Sequence, residues 1–414
     1  MSAFARVLCA AAALTCVAAP SATPASSPAT RQVVLNYRST AQLAALERSG
    51  ARIVRTLPAL HSAVVETSRS LAGPRPVLRQ ALVVDEPALA QTFQPGIAWE
   101  WQWDAARVGE VPDWALRAAS SVTVAVIDSG ADLNAPDLAH KSPRTWSVLS
   151  RSHSVRDRLG HGTFVASLAT GSVANGIGIS GFGGDAKLLA IQAIDADGYV
   201  TDVDEAAAIV YAVKHGAKII NLSIGGAQTS AIEQRAIRWA FRHDVLIVAA
   251  AGNEHDEGNP VEYPAALLQP VGSRGRGGIG LAVGATSMDG TRAYFSNTGS
   301  YISLAAPGYN VFAAESADSD WPRAQLPWAS AGYYGWASGT SFAAPEVAGV
   351  AALVWGVNPR LTVRQVANVL KQSATGNAWN HELGWGSLDA AAAVQLALET
   401  RGQAPRLAHA RRTR

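Results

Sequence analysis

The sequence predicts an α/β protein: a mostly parallel sheet flanked by helices, preceded by a small α+β unit. Three observations predict it. From Ser121 onward, short runs rich in β-branched residues alternate with longer amphipathic segments. The runs are continuously apolar, as expected of parallel strands buried on both faces. The 414 residues are 48% hydrophobic and 16% charged, enough apolar material for a sizeable core. Lys and Arg total 34 against 32 Asp and Glu, a net charge of +2, which argues against a nucleic-acid partner recruited by charge. The two cysteines, Cys9 and Cys16, lie at the extreme N-terminus, so the rest of the chain has no thiol for a disulfide, metal site or nucleophile.

In chain order, residues 1–22 hold one basic residue, Arg6, and then the apolar run Val7 to Ala19. That is a signal-peptide pattern, too short for a comfortable membrane span, and it predicts a secreted protein without stable membrane insertion. Residues 23–30 read as a linker. Residues 31–93 form the α+β unit. Its strands are Val33–Leu35, Ala51–Leu57 and Ala63–Thr67, and its helix is Thr40–Arg48, stopped by Gly50. Val77–Leu82 fits helix or strand, and Val83–Val84 reads as a last strand. Residues 87–114 look like a linker carrying Trp99, Trp101, Trp103 and Trp114.

The main unit is expected over residues 94–400. Its predicted strands are Val122–Ile127, Lys187–Ile194, Lys218–Ser223, Val245–Ala250 and Gly280–Val283. Helices are predicted at Thr163–Thr170, Asp202–His215, Ser230–Arg242, Ser341–Val357 and Thr362–Ser373. Residues 317–336 hold Trp321, Trp328 and Trp336 and read as a surface loop with a small satellite core. Residues 401–414, with five arginines and no acid, read as a solvated basic tail.

Ligands of open parallel sheets gather at the carboxyl ends of strands. Asp128 ends one predicted strand, His161 opens a helix between Gly160 and Gly162, and Ser341 begins another helix, with Pro345 in its first turn. Taken singly, these are a turn residue, an ordinary histidine and a helix cap. Taken together they supply what acyl transfer needs. A hydroxyl is a weak nucleophile without an adjacent base, and that base needs a carboxylate to fix its tautomer. Asn253, after the strand ending at Ala250, can donate to a developing oxyanion, as can the start of the Ser341 helix.

Three motifs, Asp128-Ser129-Gly130, His161-Gly162-Thr163 and Gly339-Thr340-Ser341-Phe342-Ala343-Ala344-Pro345, resemble the signatures of the subtilisin-like serine proteases, in that family's order. The resemblance covers residues 97 to about 395. It implies the family's three-layer fold and peptide-bond hydrolysis through an acyl-enzyme. Asp128, His161 and Ser341 would be the triad and Asn253 the oxyanion residue. Residues 31–93 resemble the family's pro-domain, which chaperones folding and inhibits the enzyme, so self-processing of a zymogen is expected, with the cut after Phe93. Ser223, Ile224 and Gly225 match the strand that pairs with substrate. Ala250, Ala251 and Gly252 match the opposite wall, giving a pocket that favours large apolar or aromatic side chains, with Glu254 at its end able to tolerate a basic one as well. The expected partners are protein or peptide substrates, acted on by a monomer. No cofactor is expected. Residues 131–160 contain few acids, so no calcium site of the family is recognisable. An esterase with the same triad, or a binding protein that has lost catalysis, would share the fold. A Gly-x-Gly-x-x-Gly nucleotide turn does not follow the first strand.

Overall fold

A computed structural model describes residues 30–68, 71, 73–81, 100–173, 175, 178–321 and 333–401. The leader, the Val83–Val84 strand, the Phe93 bond, Trp99, Trp328 and the basic tail after Arg401 lie outside the described residues.

The N-terminal unit is a three-stranded antiparallel sheet of β1 (Arg31–Asn36), β2 (Arg52–Leu57) and β3 (Ser62–Thr67), with β3 central and the helix Thr40–Arg48 between β1 and β2. Leu57, Leu60 and Val64 belong to one apolar cluster with Ile232, Ala236 and Ala240 of the main unit. Polar ties join the same surfaces: Arg55 pairs with Asp204, and Arg235 Nη2 donates to Ser62 Oγ at 2.8 Å. Within Val77–Leu82, of which Leu82 lies outside the described residues, a strand forms, β4 (Leu78–Ala81). It pairs with the main unit and not with its own sheet.

The main sheet has seven parallel strands: β5 (Thr123–Asp128), β6 (Arg144–Ser147), β7 (Lys187–Gln192), β9 (Ile219–Leu222), β11 (Leu246–Ala250), β12 (Leu281–Thr286) and β13 (Leu304–Pro307). Their order is β13-β12-β11-β9-β5-β7-β6. Successive strand residues point to opposite faces. In β5, Val124 and Val126 join the cluster around the helices His161–Thr170 and Thr340–Val357. Ala125 and Ile127 join the cluster around the helices Asp202–Lys214 and Ala231–Arg242. Both faces are thus apolar, which explains the uninterrupted hydrophobic runs.

Two short elements, β8 (Tyr199–Thr201) and β10 (Ile224–Gly225), stand at the rim with β4 between them. The chain also holds an antiparallel pair, β14 (Val311–Glu315) and β15 (Tyr333–Ala337). Three closing helices follow: Thr340–Val357, Val363–Ser373 and Ala390–Arg401. Thr340–Val357 is long and apolar enough to cross a membrane, yet it is packed in the protein core.

The structure corrects several expectations. Residues 101–118 form helical turns, because Trp101 is buried and its Nε1 donates to Asn310 O at 2.9 Å. Pro345 lies inside its helix, beyond the first turn. Proline cannot donate to the carbonyl four residues back. That carbonyl belongs to Ser341, and Ser223 Oγ fills the gap at 2.7 Å. Trp321 and Trp336 pack against the main core and form no satellite, since Phe164 and Phe312 offer them ring contacts.

Candidate active site at the carboxyl edge of the sheet

Asp128 is the last residue of β5, and Ser223 and Ala251 follow directly on β9 and β11. The edge therefore collects side chains from three adjacent strands and from the starts of two helices. Asp128, His161 and Ser341 are all fully buried. Asp128 Oδ1 accepts from His161 Nδ1 at 2.7 Å and from Ser129 N at 2.7 Å. His161 Nε2 is buried and has no hydrogen-bond partner. Its ring centroid lies 5.6 Å from that of Phe342, the residue after Ser341. Ser341 Oγ donates to Ser223 O at 3.1 Å. The described pairing of Ser341 is thus with the backbone between β9 and Ile224–Gly225 and not with the imidazole.

Asp157, which sequence reasoning missed, holds the His161 helix in place. It accepts from Gly160 N at 2.9 Å, Thr163 N at 2.7 Å and Ser129 Oγ at 2.8 Å, while Ser129 Oγ accepts from Gly162 N. Burial raises its pKa, and these hydrogen bonds oppose the rise. The helix start lies hard against the turn after β5. A Cβ on Gly162 would come within 2.3 Å of Gly130 O, so no larger residue fits there.

Asn253 Oδ1 accepts from Thr340 N and Thr340 Oγ1, both at 2.9 Å. That fixes the amide orientation and leaves Nδ2 buried without a partner beside the start of the Thr340–Val357 helix. A fixed, unpaired donor next to a helix N-terminus is suited to a developing negative charge.

The walls named from the sequence come together, but Ile224–Gly225 is already paired by β4. The pocket behind Gly252 also differs from the apolar expectation. A Cβ on Gly252 would meet Glu262 Cγ at 2.6 Å and Glu254 Oε2 at 2.8 Å. Glu254 Oε2 accepts from Asn253 N and Asn297 Nδ2, whereas Glu262 Oε2 is buried and unpartnered. Burial and the Glu254 charge push Glu262 up to about 7, with Arg79 opposing. Glu262 was not singled out because it sits between Val261 and Tyr263 in a segment without periodicity.

Among the described residues, no group of three or more His, Cys, Asp or Glu side chains is arranged to hold a metal ion. Asp137, from the 131–160 segment, is occupied by donors: Asn175 Nδ2 at 3.1 Å, Ile179 N at 3.2 Å and Tyr334 Oη at 2.9 Å.

The model of the subtilase family matches residues 119–386. The chain belongs to that family. Thermitase of Thermoactinomyces vulgaris is 32% identical over 272 residues, covering 64% of this chain and 87% of thermitase. Subtilisin E of Bacillus subtilis (strain 168) is 33% identical, covering 66% of each chain. The thermophilic serine proteinase of Bacillus sp. (strain AK1) is 31% identical, and the match spans 60% of its length. Among solved structures, fervidolysin from Fervidobacterium pennivorans, described as a keratinolytic enzyme related to subtilisin, superposes with a TM-score of 0.73. That match covers 90% of this subtilase and 62% of fervidolysin at 23% identity, a likeness of fold. This subtilase is a serine endopeptidase with the subtilisin-like fold.

Proposed function

We propose that this subtilase is secreted as a zymogen and cleaves peptide bonds with Ser341 as nucleophile, His161 as general base and acid, and Asp128 as its orienter. The observation that carries the reading is the buried His161, tied to Asp128 through Nδ1 with Nε2 free. The Nδ1 bond places the proton on the inner nitrogen and leaves Nε2 as the acceptor. Rotation of the Ser341 side chain away from Ser223 O brings Oγ to that acceptor; such bonds tighten when substrate binds. Nε2 takes the Oγ proton as Oγ attacks the carbonyl carbon. Asn253 Nδ2 and the Ser341 amide hold the oxyanion, since Thr340 N and Phe342 N are bonded to Asn253 Oδ1 and Gly339 O. The imidazolium, stabilised by Asp128, then protonates the leaving amine, and water repeats the sequence on the acyl-enzyme. None of these steps calls on a cofactor.

An extended peptide would take the place of β4 between β8 and β10, adding a strand by main-chain hydrogen bonds. The N-terminal unit therefore reads as the enzyme's own inhibitor, and the leader pattern of residues 1–22 supports export. The register also bears on maturation. Ile224 pairs with Ala81 and Gly225 with Gln80, so the next residue of a bound strand faces Ser223, beside Ser341 Oγ. Counted along the sequence, a first cut in this register would follow residue 82 rather than Phe93; both bonds lie outside the described residues. The test is secretion of the full chain. The wild type should hydrolyse casein and carry Val83 at its new N-terminus. Ser341→Ala should stay unprocessed and lose on the order of 10⁶-fold in kcat. Proteolysis by Ser341→Ala within tenfold of wild type would contradict the assignment.

A further inference from the structure

We propose that Asp202, Glu205 and Glu233 form a subsite that selects arginine at the fourth residue before the bond cut. This deepens the endopeptidase reading and rests on it. The pocket lies where the helices Asp202–Lys214 and Ala231–Arg242 begin, beside the rim strands β8 and β10. Its present occupant is Arg79 of β4. Arg79 is buried with its guanidinium fully enclosed; Nη1 pairs with Glu205, and Nη2 lies 2.6 Å from Glu233 Oε2 and 3.2 Å from Gln228 O. Asp202 Oδ1 accepts from Val77 N at 2.8 Å, fastening the strand just before it.

The carboxylates are not merely packed beside the arginine. Asp202 Oδ2, Glu205 Oε1 and Glu233 Oε1 are buried with no hydrogen-bond partner, as is Arg79 Nε, so the enclosed acids are offset by the charge of the guanidinium rather than by a hydrogen bond on every oxygen. Burial pushes Glu205 and Glu233 up from the ordinary carboxylate range, and Arg79 opposes the rise in both. An apolar side chain in this pocket would leave at least two acids facing one another without a counter-charge.

The register sets the position. Arg79 pairs with Val200 of β8, and Gln80 and Ala81 pair with Gly225 and Ile224. A strand that continued this register would bring the third residue after the arginine opposite Ser223, next to Ser341. A substrate strand in the same register presents its fourth residue before the scissile bond to the acids. A planar fork can meet two carboxylates at once, whereas an ammonium is a single point charge, so lysine should serve less well than arginine.

The test uses the secreted protease and internally quenched peptides that are identical except at this position, which is Arg, Lys or Leu. The expected order of kcat/KM is Arg over Lys over Leu, with Arg over Leu by roughly 100-fold. A variant with E205I and E233L, carrying R79L so that its own strand still fits, should reverse the preference to Leu. Equal cleavage of the Arg and Leu peptides, with casein still hydrolysed, would overturn the subsite alone. Failure to cleave every peptide and casein would overturn the endopeptidase reading beneath it.

Discussion

The nucleophile site and the acidic pocket lie at the same edge of the sheet, but they are completed differently. Around Ser341, every organising contact comes from the subtilase domain: Asp128 orients His161, Asp157 ties down the helix start, and Thr340 turns Asn253. Asp128 Oδ2, His161 Nε2 and Asn253 Nδ2 are left unpaired there, and the last two are the ones the proposed chemistry calls on. In the acidic pocket the counter-charge arrives on a strand of the N-terminal unit. The positions of His161 and Asn253 are fixed from within the subtilase domain, while the electrostatic balance of the neighbouring acidic pocket depends on what is bound.

Substitutions on the two sides should separate accordingly. Asn253→Ala should lower kcat by about 10²- to 10³-fold with little change in KM, because its amide acts on the oxyanion and not on the bound substrate. A loss confined to KM would show that Asn253 holds substrate instead. Arg79→Leu should leave the chemistry intact and weaken self-inhibition. Removing one partner of a buried ion pair costs about 3–5 kcal/mol, on the order of 100-fold or more in the docking of β4. Activity should then appear earlier in a time course of maturation; a course identical to wild type would mean that Arg79 contributes nothing to docking.

The smallest effect concerns Glu262. With its pKa near 7, the carboxyl is mostly neutral at pH 6 and mostly charged at pH 8. The ratio of kcat/KM for peptides ending in Arg over those ending in Leu before the scissile bond should therefore rise several-fold across that interval. Taking a ratio cancels titration shared by both peptides. Glu262→Gln should flatten it, and a ratio already flat in the wild type would place the carboxyl outside the pocket.

These differences also explain what the sequence made legible. Five of the seven parallel strands stood out because they are continuous apolar runs. Arg144–Ser147 did not, as an edge strand holding Arg144, Thr145 and Trp146 has no such run. Leu304–Pro307 was hidden in a short Ala-Pro-Gly stretch. Asp128, His161, Ser341 and Asn253 were readable from motifs. The acidic subsite was not, because each acid has an ordinary local explanation. Asp202 and Glu205 stand in the first turn of a helix, where acids favour the dipole. Glu233 closes a capping box with Ser230. Only the arrival of Arg79 from a distant strand distinguishes them from caps.

The most direct measurement is to treat the secreted wild type and His161→Ala with a fluorophosphonate and locate the adduct by mass spectrometry. The account predicts one adduct on wild-type Ser341, and loss of labelling in His161→Ala, since Oγ then lacks the base proposed to take its proton. An adduct on a different serine, or undiminished labelling of Ser341 without His161, would contradict it.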